Sequence, residues 1–140
     1  MVFVGPQQNN GPSGPLPPMV NITYQNIAQV MSGSGMVNAI PAGSEILMKF
    51  YSFNSGTRVW EKSFVLTSGV MKETTNSDDK ADIVVSLDSK YLQGLTNYNF
   101  CSMIQRANAN GDLGFETELS SVSLAWKFKS LYSYRSCFGF

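Results

Sequence analysis

From residue 20 onward, apolar and polar side chains alternate over short stretches, the period of half-buried strands. Val20, Ile22 and Tyr24 alternate, and a second apolar group, Ile27, Val30 and Met31, follows. Ser32-Gly33-Ser34-Gly35 marks a turn or flexible loop, and Met36 to Ile40 reads as a short strand stopped by Pro41-Ala42-Gly43. Glu45 to Phe53 sets Ile46, Met48 and Phe50 on one face and Leu47, Lys49 and Tyr51 on the other. Asn54-Ser55-Gly56 predicts a compact hairpin turn, and Thr57 to Thr67 returns with Trp60, Phe64 and Leu66 on a common face. Lys72 to Lys80 has no aliphatic residue and reads as an exposed loop. Ile83, Val85 and Leu87 predict a strand, Asn97 to Ala107 the next, and Asn108 to Asp112 its turn. Thr117 to Phe128 closes the series, with Leu124, Trp126 and Phe128 on one face. No segment reads convincingly as a helix. Seven or so short strands joined by turns predict an all-β, two-sheet sandwich over residues 20–128.

Both ends depart from this pattern. Five of the six prolines, Pro6, Pro12, Pro15, Pro17 and Pro18, fall in the first 18 residues. They fix φ near the polyproline value and remove backbone donors, so residues 1–19 read as an extended arm. Val2, Phe3 and Val4 would be the apolar anchor at its tip. Residues 129–140 exceed a minimal sandwich and carry Leu131, Tyr132, Tyr134, Phe138 and Phe140. Such a tail either folds back as an extra edge strand or docks onto a partner through its rings. No run of 18 apolar residues exists to span a membrane, and the first residues lack the basic region of a secretory signal.

Leu92-Gln93-Gly94-Leu95-Thr96-Asn97-Tyr98-Asn99-Phe100 resembles the E–F corner of fibronectin type III domains. Leu92, Gly94, Thr96 and Tyr98 reproduce that family's spacing, with Gly94 where the family usually has proline. The resemblance implies a tyrosine corner formed by Leu92, Thr96 and Tyr98, in which the ring packs inside and the hydroxyl reaches back to the backbone. Ala107-Asn108-Ala109-Asn110-Gly111 is similar to the end of that family's strand F, although the strand is about two residues too long. The family's strand-B tryptophan has no counterpart. A fibronectin type III-like or immunoglobulin-like sandwich is therefore the expected fold, with a jelly-roll or other viral-type sandwich as the alternative.

Composition narrows the chemistry. Ten basic and ten acidic side chains balance, histidine is absent, and only 14% of residues are charged. Ser, Thr, Asn and Gln number 42 of 140. A neutral polar surface repels its own kind little and sits near self-association, so a homo-oligomer is one option. The zero balance gives no reason to seek nucleic acid or an anionic membrane. Lys127, Lys129 and Arg135 cluster near aromatics but read as a solvated strand face. Without histidine the commonest general base is missing. Glu116/Glu118 and Asp78/Asp79 have no third group placed beside them, and Asp78-Asp79 with Asp82 lacks the ligand order of a calcium loop. No cofactor, metal or catalytic residue is implied. Cys101 reads as a small buried hydrophobe, while a bridge to Cys137 stays open.

These features predict a non-enzymatic structural protein of a large assembly, such as a minor capsid, cement or decoration protein of a virion. Its partners would be neighbouring protein subunits, held through Val2, Phe3, Val4, Pro6, Pro12 and Pro15 in the arm and Tyr132, Tyr134, Phe138 and Phe140 in the tail. The alternative is a cellular or extracellular adhesion or recognition module of fibronectin type III type.

Overall fold

Ile46–Asn54 (β1) lies at the centre of a single five-stranded sheet in the computed structural model, which describes residues 17–75 and 81–137. Thr57–Thr67 (β2) and Val70–Thr74 (β3) extend the sheet on one side, and Ile83–Asp88 (β4) and Leu113–Thr117 (β5) on the other, in the order β3-β2-β1-β4-β5. The β1–β4 pair is parallel, with Ile46 opposite Ile83 and Met48 opposite Val85; the other three pairs are antiparallel. The β1–β2 hairpin forms where its turn residues predict. Ser55 and Gly56 both have positive φ, 54° and 83°, as a two-residue loop matched to strand twist requires.

Four helices punctuate the strands: Ile27–Met31 (α1), Gly35–Asn38 (α2), Phe100–Ala109 (α3) and Ser121–Lys127 (α4). Two 3₁₀ segments, Ser89–Leu92 and Lys129–Cys137, complete the regular elements of the described residues. Ile46, Met48 and Phe50 of β1 share one buried cluster with Phe64, Leu66, Ile83, Val85 and Leu87 of its neighbours. Ile27, Val37, Phe100, Ile104, Phe128 and Leu131 join that cluster from the helical side, so one face of the sheet is the core. The other face carries Lys49, Tyr51, Phe53, Arg58 and Trp60, where Lys49 Nζ lies 4.0 Å from the Trp60 ring and the Arg58 guanidinium 4.4 Å from the Tyr51 ring.

The sandwich implied by the fibronectin type III resemblance is not formed. One mixed sheet with helices packed on it replaces two antiparallel sheets, and three segments expected as strands are helical. Met36 to Ile40 enters α2, whose N-cap Ser34 Oγ accepts a hydrogen bond from Val37 N at 3.2 Å. Asn97 to Ala107 becomes α3, because Phe100, Met103, Ile104 and Ala107 recur at helical spacing and all four are buried. Thr117 to Phe128 splits into the end of β5 and α4, where Ser120 Oγ accepts from Ser123 N at 3.1 Å. The proposed tyrosine corner dissolves with the strand that should have held it. Leu92 ends a 3₁₀ turn, Thr96 and Tyr98 sit in the loop before α3, and Tyr98 is 52% exposed.

Smaller differences have local causes. In β2, Glu61 and Lys62 together oppose the single residue Phe50 of β1, and this bulge turns Trp60 away from Phe64 and Leu66. Trp60 is 46% exposed, whereas Phe64 is buried. Lys72 to Thr74 belongs to β3 rather than to a loop, and residues 76–80 lie outside the described part.

The C-terminal segment is a 3₁₀ helix rather than an edge strand, and its sequence explains why. With three residues per turn, positions three apart stack along one edge. Leu131, Tyr134 and Cys137 form the inward edge, Ser130 and Ser133 a second, and Lys129, Tyr132 and Arg135 the outward one. Cys137 is disulfide-bonded to Cys101 of α3 with Cα atoms 4.3 Å apart, which resolves the cysteine question in favour of the bridge.

Candidate functional site

A cleft of about 440 Å³ opens on the helical side between the α1–α2 corner and the start of α3. Its first wall is built by small polar residues that tie the corner to the sheet. Ser32 Oγ donates to Met71 O and accepts from Met71 N at 2.9 Å, which pins the end of α1 to β3. Gly33 N donates to Gly69 O at 3.1 Å, and Gly69 N donates to Val37 O at 3.0 Å. Gly69 reaches these contacts at φ 80°, a conformation that costs glycine nothing. The corner thus presents Met31, Ser34 and Met36 to the cleft.

The opposite wall is the loop Thr96-Asn97-Tyr98-Asn99 and the first turn of α3. Asn99 Oδ1 accepts from Thr96 N at 2.7 Å, and Thr96 Oγ1 accepts from Tyr98 N at 3.1 Å, so the loop carries its own hydrogen bonds. Asn97 ties down the incoming chain, accepting from Val20 N at 2.8 Å and donating to Pro18 O at 3.2 Å. The Tyr98 hydroxyl donates to Pro17 O. Asn97, Tyr98, Phe100, Cys101, Ser102 and Gln105 complete the lining.

Chemically, the cleft is neutral. Met31, Met36 and Phe100 are each 5% exposed and supply an apolar floor beside the sulfur of Cys101, which the disulfide ties up. Hydroxyls and amides form the rim. Among the described residues of the lining, the Tyr98 phenol is the one ionisable side chain. Two thioethers in the floor give it a soft, adaptable shape.

Charged groups gather elsewhere, at the C-terminal ends of the parallel strands β1 and β4, and each has a structural partner. The Tyr24 hydroxyl donates to Glu61 Oε1 at 2.5 Å. Burial, and then Glu61, push the Tyr24 pKa well above the usual phenol value, while the hydrogen bonds from Tyr24 and Ser52 hold Glu61 below the usual carboxylate range. Asp112 accepts from the Tyr91 hydroxyl at 2.7 Å and pairs with Lys90 at 3.2 Å; Tyr91, then Lys90, lower its pKa. The Tyr51 hydroxyl donates to Asp112 O at 2.9 Å. This network fastens the strand ends to the turn after α3.

The residues singled out in the sequence are dispersed. Val2, Phe3, Val4, Pro6, Pro12, Pro15, Phe138 and Phe140 lie outside the described residues, as do Asp78 and Asp79. Tyr132 is 57% exposed, whereas Tyr134 is half-buried against the core with its hydroxyl beside Gly35. Asp82 is engaged by Glu45 N at 3.0 Å and by Lys127 Nζ at 2.7 Å, and among the described residues no group of three metal-ligating side chains occurs. The cleft itself was not anticipated. Its signals were the helical spacing in α3 and the Ser-Gly-Ser-Gly corner after Met31.

No family model matches the chain, and no curated protein matches it. Solved structures similar in part to this chain include the following three. The sterol carrier protein domain 2 of Helicoverpa armigera is 17% identical, covers 83% of this chain and 85% of its own, and superposes with a TM-score of 0.43. Sterol carrier protein 2 from Yarrowia lipolytica, in its apo form, is 16% identical over 80% and 89%, with a TM-score of 0.40. A UbiJ-SCP2 ubiquinone synthesis protein is 9% identical over 79% and 92%, also at 0.40. The adhesion-module alternative started from a sandwich that the mixed sheet replaces. The capsid, cement or decoration assignment, which started from the charge balance, the proline arm and the aromatic tail, finds no support in the comparisons, and both are set aside.

Proposed function

We propose that this chain is a non-catalytic binding domain that holds a neutral, largely apolar small molecule of lipid type in the cleft between the α1–α2 corner and α3. The observation that carries the reading is the lining: an apolar floor of Met31, Met36 and Phe100 under a rim of uncharged hydroxyls and amides. Burial of apolar ligand surface would drive binding, and the few polar groups at the rim would orient a hydroxyl or amide of the ligand. A charged headgroup has no counter-charge among the described lining residues. At about 440 Å³ the cleft falls within the range that holds small organic ligands.

Titration with a fluorescent fatty alcohol and, separately, a fluorescent sterol tests this directly. Saturable binding of one of them is expected, and the winning probe tells an alkyl chain from a fused-ring ligand. Ser102 is exposed at the rim, so Ser102→Phe fills the cleft without disturbing the core. It should weaken binding by about tenfold or more, a change of about 1.4 kcal/mol. Absence of saturable binding for both probes, or equal affinity in Ser102→Phe, would refute the assignment.

A further inference from the structure

We infer that α4 and the 3₁₀ helix after it form a docking surface for an anionic lipid bilayer. On α4, Val122 and Trp126 stand four residues apart on one face and are 69% and 68% exposed. Phe128 is buried at the junction, and the outward edge Lys129, Tyr132 and Arg135 follows, with Tyr132 57% exposed. Large apolar side chains left in water over so short a stretch mark a contact surface.

Charge selects the occupant. The total balance of the chain conceals an uneven distribution: residues 119–140 contain Lys127, Lys129 and Arg135 and no carboxylate, while the remainder holds seven cations and ten carboxylates. Lys127 is committed to Asp82. Lys129 and Arg135 have no carboxylate partner among the described residues. Instead Lys129 Nζ lies 5.3 Å from the Trp126 ring and the Arg135 guanidinium 4.1 Å from the Tyr132 ring. Trp and Tyr rings with Lys or Arg beside them suit the headgroup layer, where rings enter the acyl boundary and cations meet lipid phosphates and carboxylates. The disulfide and buried Leu131 hold this edge in place, so docking requires no refolding. Vesicle binding and ligand uptake in the cleft are separate measurements, and either can fail without the other.

The test uses the full chain carrying Trp60→Phe, which leaves Trp126 as the one indole. Vesicles of phosphatidylcholine alone and of phosphatidylcholine mixed with phosphatidylserine are added at rising salt. Trp126 emission should shift to the blue and the protein should co-sediment with the serine-containing vesicles at low salt, with both effects fading as salt rises. Lys129→Gln and Arg135→Gln should each weaken vesicle binding about fivefold. Unmoved Trp126 emission overturns the proposal, as does equal binding to both vesicle types or full binding by a variant carrying both Lys129→Gln and Arg135→Gln. A blue shift that grows with protein concentration in the absence of vesicles would assign the surface to a second copy and overturn it equally. Co-sedimentation is repeated with the unsubstituted chain, so a poorly folded variant does not leave the outcome open.

Discussion

Breaking the Cys101–Cys137 bridge should loosen the C-terminal part of this fold more than any single change at its surface. The bridge closes a loop with a sequence separation of 36, and removing it returns that loop's freedom to the unfolded chain. The chain-entropy relation gives about 4 kcal/mol for a loop of this length. For a chain of this size that is a fall of roughly 10–15 °C in melting midpoint. The loss should be concentrated where the bridge acts, because Phe128, Leu131 and Cys137 enter the core through the segment it ties down. The assay compares thermal melts of the oxidised protein, of the protein under reductant, and of a Cys101→Ser/Cys137→Ser variant. Hydrogen exchange of residues 121–137 should rise in the last two while β1 and β4 stay protected. Coincident midpoints for all three, or two free thiols by mass before reduction, would refute the reasoning.

Two further perturbations probe other parts of the same framework. Gly69→Ala places a Cβ 3.0 Å from Asn38 Oδ1 at a φ of 80°, and should cost about 1–2 kcal/mol in urea denaturation; an unchanged midpoint would show that the corner is not held through this turn. Glu61 and Asp112 have folded pKa values below their unfolded ones, so their contribution is present above the ordinary carboxylate range and lost as pH falls below about 4. Tyr24 is shifted the other way, so its contribution is present below about pH 10 and lost as pH rises beyond it. Tyr24→Phe should flatten both limbs of a stability–pH profile, and a profile identical to that of the parent protein would remove this pair from the account.

The central strands were legible because their pattern has a single reading. Ile83, Val85 and Leu87 alternate with the partly exposed Val84 and Ser86. Ile46, Met48 and Phe50 form the same period in a run of β-favouring residues, even though Leu47 and Tyr51 beside them are also buried. The helices were hidden by length and by competing periods. In α1 and α2 five and four residues are too few for a helical period to outweigh alternation. In α3 the spacing Phe100, Met103, Ile104, Ala107 was present, but the likeness of Leu92, Thr96 and Tyr98 to a known corner drew the same residues into a strand. Strand count also carries no information about partners. Nothing local says that β4 pairs with β1 in parallel, and that pairing separates a mixed sheet from a sandwich. The cleft was illegible for a related reason: Met31, Met36 and Phe100 meet only once α1, α2 and α3 have settled on the sheet.

The parallel pairing also sets the order in which the chain can assemble. β1, β2 and β3 are joined by two short hairpins and can zip from neighbouring residues alone. β4 must then arrive on the far side of β1, after the chain has passed through two other strands. Until it does, the unpaired edge of β1 displays Ile46, Leu47, Met48 and Phe50 with their backbone donors and acceptors open, which is a template for adding another molecule. Such a chain should refold cleanly when dilute and form intermolecular sheet when concentrated. The yield of native protein would then depend on how quickly Ile83–Asp88 reaches that edge, and not only on how stable the finished sheet is.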